Sequence, residues 1–486
     1  MTPETPLPLR GIRVVDSATL FAGPVIATLL GDYGADVIKV EHPDGDTLRS
    51  LGWEKDGVSL WWATVSRNKR AVTLKLSDEE GAEAMRRLLA TADVYIENFR
   101  TGTLERWGLG WDVLHELNPR LVMVRTTGFG QTGPYAHRPG FGTLAEAMSG
   151  YAHMNGFPDG PPTLPPFALG DGVAAMTGAF AVMTALWWRE KSGEGQMIDL
   201  SIFEPLFWIL GPQASVYDQL GVVQGRTGNR APFTAPRNAY RARDGVWLGV
   251  SASAQSIAER VMRLVGREDL VRQPWFADHT GRLKHQDEID KPIEEWIAAR
   301  DSQEVIRAFE EVHAAVAPVM SVADIFADPQ FAAREAITTV DHPRLGPLKM
   351  QNVVPRLTAT PGRIRWCGPE LGSGNREILQ GELGYTDEQL ARMAERGVVA
   401  PGPALAEPTG PEPPRAEPAG PGPTAPVPVA EPGAVGFGAP GAEAPDPGVG
   451  VPAVPGALGV PDRVAAGGAD GDAVAAEGAE GADGGR

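Results

Sequence analysis

An aspartate, Asp171, stands where a polar loop meets a long apolar segment. The loop is rich in Pro and Gly and ends at Gly170, and the uncharged segment from Val173 to Trp188 is long enough for a helix. We expect Asp171 to be the N-cap, where free N–H groups bind its carboxylate and the helix dipole favours its ionised form. A charged carboxylate on a rigid element beside apolar surface suits a covalent nucleophile. A plain structural cap is the alternative, because Asp is among the commonest N-caps.

The first 200 residues alternate between strand-like and helix-like segments, and these elements must position the carboxylate. Strands separated by helices are typical of an α/β domain with a mostly parallel sheet that helices cover on both faces. The predicted strands are Ile12–Val15, Ala35–Val40, Ala71–Leu76, Ala92–Ile96, Leu121–Arg125 and Gln196–Ile202. The predicted helices run from Gly23 to about Tyr33, from Asp78 to Ala90 behind a Ser77 cap, from Val173 to Trp188 and from Glu204 to Leu220.

The pattern changes after a loop rich in Gly, Arg and Pro at residues 221–236. A hairpin around Asp244-Gly245, helical segments near 255–265, 286–299 and 302–312, and a strand at Val316–Val322 predict a smaller α+β unit. Short strands around 337–358 and a helix near 386–396 follow. Residues 401–486 consist mainly of Pro, Ala, Gly and acids without periodicity, so we predict a disordered tail.

The Val173–Trp188 segment has two different faces. Small residues recur at positions 174, 178, 181 and 185, a spacing that lets another backbone approach closely, while Met176, Phe180, Met183 and Trp187 form a bulkier stripe. The run is Ala/Gly/Thr-rich and at the short limit for a membrane span. It therefore favours a buried core helix over a transmembrane segment.

Charge and cysteine content exclude several classes of protein. The net charge is −18, and residues 401–486, with twelve acids and three arginines, carry −9 of it. Nothing is basic enough to attract nucleic acid or an anionic membrane. Cys367 is the only cysteine, which excludes an intrachain disulfide and a cysteine-rich metal site. The residues from Met1 to Pro6 carry no secretory signal pattern, so we expect a cytoplasmic protein.

Nine short blocks occur in a fixed order along the first 400 residues. They are Ala22-Gly23-Pro24, residues 34–41 (GADVIKVE), Gly45-Asp46, Asn68-Lys69-Arg70, Leu74-Lys75-Leu76, residues 97–102 (ENFRTG) with Arg106 and Gly108, Gly170-Asp171, residues 193–196 (GEGQ) and Asp199-Leu200-Ser201. Each block alone is common, but the ordered set is specific. From about residue 9 to 399 the chain resembles the class III CoA transferases, the family of formyl-CoA transferase and carnitine CoA-transferase.

The resemblance implies a fold and an assembly. A large Rossmann-like domain would comprise residues 1–220 and a returning segment at 331–400, with a small domain at 221–330 between them. Two chains would form an interlocked homodimer. The composition change near 221–240 and the return after about 330 fall where that layout needs them.

The resemblance also implies a reaction in which CoA moves from an acyl-CoA thioester to a free carboxylic acid. Asp171 would attack the thioester to give an aspartyl-acyl anhydride and then an aspartyl-CoA thioester. No metal or cofactor is implied, and coenzyme A is part of the substrate. The positions that match family contacts to CoA, together with two cations that would serve its phosphates, are Thr19, Leu20, Phe21, Ala22, Leu74, Asn98, Phe99, Thr103, Arg106, Lys69 and Arg70.

The chain departs from formyl-CoA transferase at several of these positions. Thr19 and Phe21 stand where that enzyme has His and Gln, Thr103 replaces a small residue, and His42 replaces an Arg. That enzyme's four-glycine loop has no counterpart here. Phe21 therefore predicts a bulkier or less polar acid than formate or oxalate.

Two other functions remain open. An α-methylacyl-CoA racemase shares the fold and uses a His/Asp pair, and the Asp of that pair also corresponds to Asp171. Its His lies in a Gly-His-Asp motif that corresponds here to Gly140-Phe141-Gly142, where Phe141 cannot transfer a proton and Gly142 lacks the carboxylate, although two-base chemistry needs an acid/base on each face of the carbon. An inactive CoA-ester-binding protein is the other alternative, and an Asp at 171 argues against it. A dinucleotide-binding function is disfavoured, since no G-x-G-x-x-G follows the first strand.

Overall fold

The structure is a computed structural model that describes residues 7–401. Runs of Val, Ile and other apolar residues form its strands. The strands are β1 (Arg13–Asp16), β2 (Asp36–Glu41), β3 (Glu54–Lys55), β4 (Val58–Ser59), β5 (Lys69–Thr73), β6 (Val94–Glu97), β7 (Val122–Thr127), β8 (Met197–Ser201), β9 (Arg237–Arg241), β10 (Trp247–Ser251), β11 (Ala315–Pro318), β12 (Ile337–His342) and β13 (Gly346–Gln351).

Helices connect these strands, and the first half of the chain contains ten of them in its described part. They are α1 (Ala22–Asp32), α2 (Leu60–Val65), α3 (Glu79–Leu89), α4 (Thr103–Arg106), α5 (Trp111–Leu117), α6 (Gly142–Met148), α7 (Tyr151–Met154), α8 (Leu169–Ser192), α9 (Phe203–Trp208) and α10 (Gln213–Leu220).

The helices after residue 250 are shorter on average. They are α11 (Gln255–Leu264), α12 (Glu268–Val271), α13 (His279–Lys284), α14 (Gln286–Ala298), α15 (Ser302–Glu311), α16 (Val322–Ala327), α17 (Pro329–Ala333) and α18 (Asp387–Glu395). Single turns of 3₁₀-helix lie at Thr47–Ser50 and Pro274–Ala277, and Arg376–Glu382 is π-helical.

Six strands form one parallel sheet in the order β5-β2-β1-β6-β7-β8. Val14 of β1 pairs with Val37 of β2 on one side and with Val94 of β6 on the other. The chain order thus reverses between β1 and β6. Such a switch point leaves a crevice at the carboxyl ends of the strands, where ligands bind in open α/β sheets. The predicted α/β class and large parallel sheet are confirmed.

Alternate residues of these strands pack into two different cores, because side chains in a strand point to opposite faces. On one face, Val15 and Tyr95 pack with α3 and α5 and with Ile378, Leu379 and Met393 near the end of the described chain. On the other face the strands contact α1 and α8. Helices therefore cover both faces of the sheet.

Helix α8 crosses α1 closely through its small residues. A Cβ atom on Gly178 would lie 2.4 Å from Ile26 Cδ1, so a larger residue there would require the Ile26 side chain to shift. The bulky stripe is exposed, with Phe180 73% and Trp187 66% accessible. Within residues 7–401, α8 is the one helix whose length and apolar composition would allow it to cross a membrane.

A second, antiparallel sheet of three strands lies in the middle of the chain. Its order is β11-β10-β9, and its core includes Tyr240, Phe276, Ile293 and Phe309. A two-stranded antiparallel pair, β12 and β13, follows. Residues 374–399 then pack against the first face of the large sheet, where Lys75 N donates to Val398 O at 2.8 Å.

The predicted domain boundaries at residues 220, 330 and 400 stay predictions. The predicted disorder of residues 401–486 concerns residues outside the described part of the chain, apart from Pro401.

Three local predictions were wrong. Helix α3 is capped by Asp78, which accepts from Glu80 N at 3.0 Å, and not by Ser77, because the helix begins one residue later. The predicted helix at 204–220 is two helices, since Gly211 has a φ of +75° and Pro212 cannot continue α9. Helix α8 begins at Leu169, so Asp171 lies inside it.

Candidate active site

A cavity of about 760 Å³ opens at the carboxyl edge of the large sheet. The loops after β1, β6 and β7 form one side, and the starts of α6 and α8 form the other. Of the predicted site residues, it brings together Thr19, Leu20, Phe21, Ala22, Asn98, Phe99 and Asp171.

Asp171 lies in the first turn of α8, but it is not the N-cap as predicted. Ala168 occupies the cap position, and no side chain caps the helix. Nothing in residues 7–401 donates a hydrogen bond to the Asp171 carboxylate, so its oxygens are available to a ligand. A capping Asp would have its oxygens occupied by backbone N–H groups.

The electrostatics of Asp171 also differ from the expectation. Burial, and then repulsion by Glu146, raise the pKa of Asp171 to about 6 from the ordinary 3.8. We expected the helix dipole to favour the ionised form, but burial disfavours the charge more strongly here. The carboxylate is still ionised near neutral pH, and a raised pKa makes it a better nucleophile than an exposed Asp.

The beginning of α6 approaches Asp171 closely. A Cβ atom on Gly142 would lie 2.1 Å from Asp171 Oδ2, so the carboxylate occupies the space that a side chain at 142 would need. Glu146, one turn further along α6, is 3% exposed and lines the cavity. Its Oε1 accepts a hydrogen bond from Gly170 N at 3.1 Å.

Polar contacts with neighbouring segments hold the loop after β1 in place. Thr19 N donates to Asn98 Oδ1 and Asn98 Nδ2 donates to Thr19 O, both at 2.8 Å. Leu20 has a φ of +66°, which is unfavourable for a side chain of this size, and its N–H donates to Asp46 Oδ1 at 3.3 Å. Asp46 is paired in turn with buried Lys39 at 3.1 Å. The ion pair therefore supports a strained loop at the cavity.

Two predicted CoA contacts lie just beyond the cavity. The Arg106 guanidinium is exposed and donates to Gly102 O and to Thr103 Oγ1, both at 3.0 Å. Neither Arg106 nor Thr103 lines the cavity, but both follow the lining residue Thr101 closely in sequence.

Three predicted contacts lie elsewhere, and the structure argues against their assigned roles. Lys69 is fully buried and binds Asp16 at 2.8 Å and Pro24 O at 2.7 Å, so its charge is already neutralised inside the core. Arg70 forms ion pairs with Asp36, Glu377 and Glu382. Leu74 is 1% exposed in the core. Strand β5, which ends at Thr73, lies at the edge of the sheet, away from the switch point.

Several cavity residues were not anticipated from the sequence. The Thr126 and Thr127 hydroxyls are buried at the end of β7 without any partner among the described residues. Arg100 and Arg138 line the cavity, and neither forms an ion pair within residues 7–401. Two of them had a signal in the sequence. Arg100 lies in the block at residues 97–102, and Glu146 is an acid inside the otherwise apolar run from Leu144 to Met148, where a charged residue is unusual unless it has a role.

Phe21 and Trp61 form an aromatic wall of the cavity. Their ring centroids lie 5.2 Å apart in an edge-to-face arrangement. Both also line a second, smaller cavity of about 400 Å³ with Val25 and Trp53. The wall makes this side of the site apolar.

No group of three or more His, Cys, Asp or Glu side chains within residues 7–401 has the arrangement of a metal site. The single cysteine, Cys367, is buried outside the cavity. The absence of a cofactor stays a prediction.

The fold and the cavity define an α/β protein with an unpaired carboxylate at the ligand-binding edge of a parallel sheet. The chain belongs to CoA-transferase family III, whose family model matches residues 9–375. The relatives are named as CoA-transferases, and the protein is accordingly a transferase enzyme.

Individual relatives are similar over nearly their whole length. Succinyl-CoA–D-citramalate CoA-transferase of Chloroflexus aurantiacus is 42% identical over 396 residues, which cover 81% of this chain and 98% of the relative. The β subunit of succinyl-CoA–L-malate CoA-transferase of the same organism is 41% identical, covering 81% and 99%. The crystal structure of a CAIB/BAIF family protein from Brucella suis has a TM-score of 0.68 and 31% identity, covering 77% and 99%.

Proposed function

We propose that this enzyme transfers CoA from an acyl-CoA thioester to a free carboxylic acid through covalent attachment to Asp171. The observation that carries the proposal is the Asp171 carboxylate, which lies in the cavity with no hydrogen-bond donor among the described residues. A structural cap would be hydrogen bonded, whereas a nucleophile needs a free lone pair.

Each step of the proposed reaction balances without a redox group. An Asp171 oxygen attacks the acyl carbon, the carbon–sulfur bond breaks, and its electron pair leaves on the CoA sulfur. This thiolate attacks the Asp171 carbonyl of the anhydride, which releases the first acid as its carboxylate and leaves an aspartyl-CoA thioester. The incoming carboxylate attacks the Asp171 carbonyl of that thioester and expels the CoA thiolate, which leaves a second anhydride. The thiolate then attacks the acyl carbonyl of this anhydride, forms the new acyl-CoA and releases the Asp171 carboxylate.

The walls of the cavity suit these steps. The Phe21–Trp61 wall keeps water from an anhydride that would otherwise hydrolyse. The unpaired hydroxyls of Thr126 and Thr127 supply hydrogen-bond donors for a substrate oxygen, and a buried hydroxyl without a partner is otherwise costly.

We infer that the donor is succinyl-CoA and that the acceptor is a four- or five-carbon hydroxydicarboxylate. The relatives named above act on succinyl-CoA with D-citramalate or L-malate. A dicarboxylate has a second anionic group that needs a cation, and Arg100 and Arg138 line the cavity without an ion pair among the described residues. Such acids are also bulkier than formate or oxalate, in agreement with Phe21.

The racemase alternative lacks the histidine of its His/Asp pair, although Asp171 matches the aspartate. Within the described chain, no histidine lines the cavity, and Phe141 and Gly142 occupy the motif positions. An inactive binding protein would have no use for an unpaired buried Asp.

The proposal includes a homodimer, interlocked as the family resemblance implies, and a cytoplasmic location. Met176, Phe180, Met183 and Trp187 on α8 are between 42% and 73% exposed. A contiguous apolar stripe of this kind marks an interaction site, and a second copy of the chain is the partner we propose. The opposite face of α8 packs on α1, which disfavours the helix as a membrane span.

The test is transfer of CoA from succinyl-CoA to L-malate or D-citramalate, followed by mass spectrometry. We expect Asp171→Ala and Asp171→Asn to reduce turnover by at least about 10³-fold, since the nucleophile is lost. Hydroxylamine added with succinyl-CoA should modify wild-type Asp171. Asp112→Asn, in the first turn of α5 and exposed, is the matched control. Transfer that persists in both Asp171 variants rejects the mechanism.

A further inference from the structure

Glu146 is a second carboxylate in the cavity, and the steps above do not use it. It is 3% exposed, and no Lys, Arg or His within residues 7–401 forms an ion pair with it. Its contact is the hydrogen bond that Oε1 accepts from Gly170 N at 3.1 Å, one residue before Asp171. A buried, unpaired carboxylate costs several kcal/mol, so a structural role alone explains it poorly.

Burial, and then the charge of Glu146, raise the pKa of the Tyr151 phenol on α7, which does not line the cavity. The other charged groups on the elements around α8 are engaged elsewhere, and none of them lines the cavity. The charged lining residues are Arg100, Arg138, Glu146 and Asp171. Two of these charged groups form ion pairs: Asp32 of α1 pairs with Arg67, and Arg125 of β7 pairs with Glu97 and Glu105. Two others accept hydrogen bonds: Asp199 of β8 from Gln131 N, and Glu204 of α9 from the Ser201 hydroxyl.

We infer that Glu146 is a positioning residue that destabilises the free Asp171 carboxylate and thereby favours its conversion into the covalent intermediates. The inference rests on the proposed nucleophilic role of Asp171. Before reaction, burial and then repulsion by Glu146 disfavour the negative charge of Asp171. When Asp171 bonds to the acyl carbon, its charge leaves on the CoA sulfur, so the repulsion by Glu146 is relieved at that step. No proton is transferred.

The same side chain fixes the start of α8. The Gly170 N–H is one of the free donors of the first turn, and Glu146 holds it from α6. A Cβ atom on Gly170 would lie 3.5 Å from Glu146 Cγ, so the two helices are in direct contact there. Glu146 therefore acts on Asp171 through charge and through the position of the helix.

Two substitutions separate these effects. Glu146→Gln keeps an oxygen acceptor for Gly170 N and removes the charge, whereas Glu146→Ala removes both. Since burial is the larger cause of the raised pKa of Asp171 and Glu146 the smaller, we expect Glu146→Gln to move the acid limb of the activity profile to lower pH by at most about one unit. At about pH 8, turnover should fall on the order of tenfold, because the carboxylate becomes less basic.

The experiment uses the full-length protein, with kcat and KM for succinyl-CoA and L-malate measured across the pH range. In Glu146→Gln we expect a lower kcat, a shifted acid limb and a KM for succinyl-CoA within about twofold of wild type. Glu116→Gln on α5 is exposed and serves as the control. Glu146→Ala should lose more activity, because Gly170 N then has no acceptor.

The outcomes distinguish this inference from the proposed function. A Glu146→Gln enzyme with the wild-type acid limb and kcat overturns the inference, even if Glu146→Ala is impaired. Should the Asp171 variants retain transfer, the nucleophile assignment itself fails, whatever Glu146 does.

Discussion

Asp171 lies in the cavity, where it can react with a ligand, but its surroundings disfavour its negative charge. The carboxylate is largely buried and has a second carboxylate beside it, and both raise its pKa. A group kept in an unfavourable state by the fold is common at active sites, where stability is lost in favour of function.

Because ionising Asp171 costs free energy in the folded protein, we predict that the effect of Asp171→Asn on stability depends on pH. The pKa of Asp171 is about 6 when folded and ordinarily 3.8, so the wild type loses stability as pH rises from about 4 through 6. The neutral Asn avoids this loss. At about pH 8 we expect Asp171→Asn to raise the free energy of unfolding by about 1–3 kcal/mol relative to its effect at pH 4.

Urea unfolding at the two pH values measures this difference. Asp112→Asn, an exposed residue, should give no comparable change between them. An equal effect of Asp171→Asn at both pH values would contradict the raised pKa.

At the scale of elements, the site depends on the contact between α6 and α8. Gly142 brings the α6 backbone against the Asp171 carboxylate, and Glu146 holds the first turn of α8. Twenty residues, 149–168, separate the two helices in sequence. Periodicity along the chain therefore predicts each helix but not their contact.

Gly142→Ala tests this contact. Its Cβ atom would lie 2.1 Å from Asp171 Oδ2, so the carboxylate must move. A displacement of about 1 Å can reduce turnover about a hundredfold, which is the loss that we expect in the succinyl-CoA assay.

Gly172→Ala is the matched control for this change, since a Cβ atom there meets nothing within 4 Å. Alanine also favours helix at both positions, so a loss confined to Gly142→Ala cannot come from helix stability. Equal activity of the two variants would show that Asp171 tolerates the displacement.

For the whole molecule, the strand order decides where the site lies. The order β5-β2-β1-β6-β7-β8 places the loops after β1 and β6 side by side at the switch point. The Thr19–Ala22 and Asn98–Thr101 segments meet there, whereas β5 with Lys69 and Arg70 lies at the sheet edge.

The α8 stripe predicts an interface with a second copy of the chain. We expect Phe180→Arg to shift the protein from dimer to monomer in sedimentation velocity, because a buried, unpaired charge at an interface costs several kcal/mol. Leu117→Arg on α5, also exposed and apolar, should leave the dimer intact. A dimer that persists in Phe180→Arg would exclude this stripe as the interface.

The sequence by itself determined the local elements and the family. Apolar periodicity predicted the six strands of the large sheet, and the Pro/Gly loop before an uncharged run predicted a helix near Asp171, because these signals depend on neighbouring residues. The family resemblance, which rests on the order of the motif blocks along the chain, assigned Thr19, Phe21 and Asn98 to the site.

The tertiary structure decided which side chains face the cavity and what charge they carry. It buried Lys69 against Asp16 and brought Glu146 to Asp171. The pKa of a carboxylate depends on the groups around it in space, and those come from segments far apart in sequence. For that reason Asp171, which we expected to be a charged N-cap, is instead a partly buried carboxylate inside the first turn of α8, beside another acid.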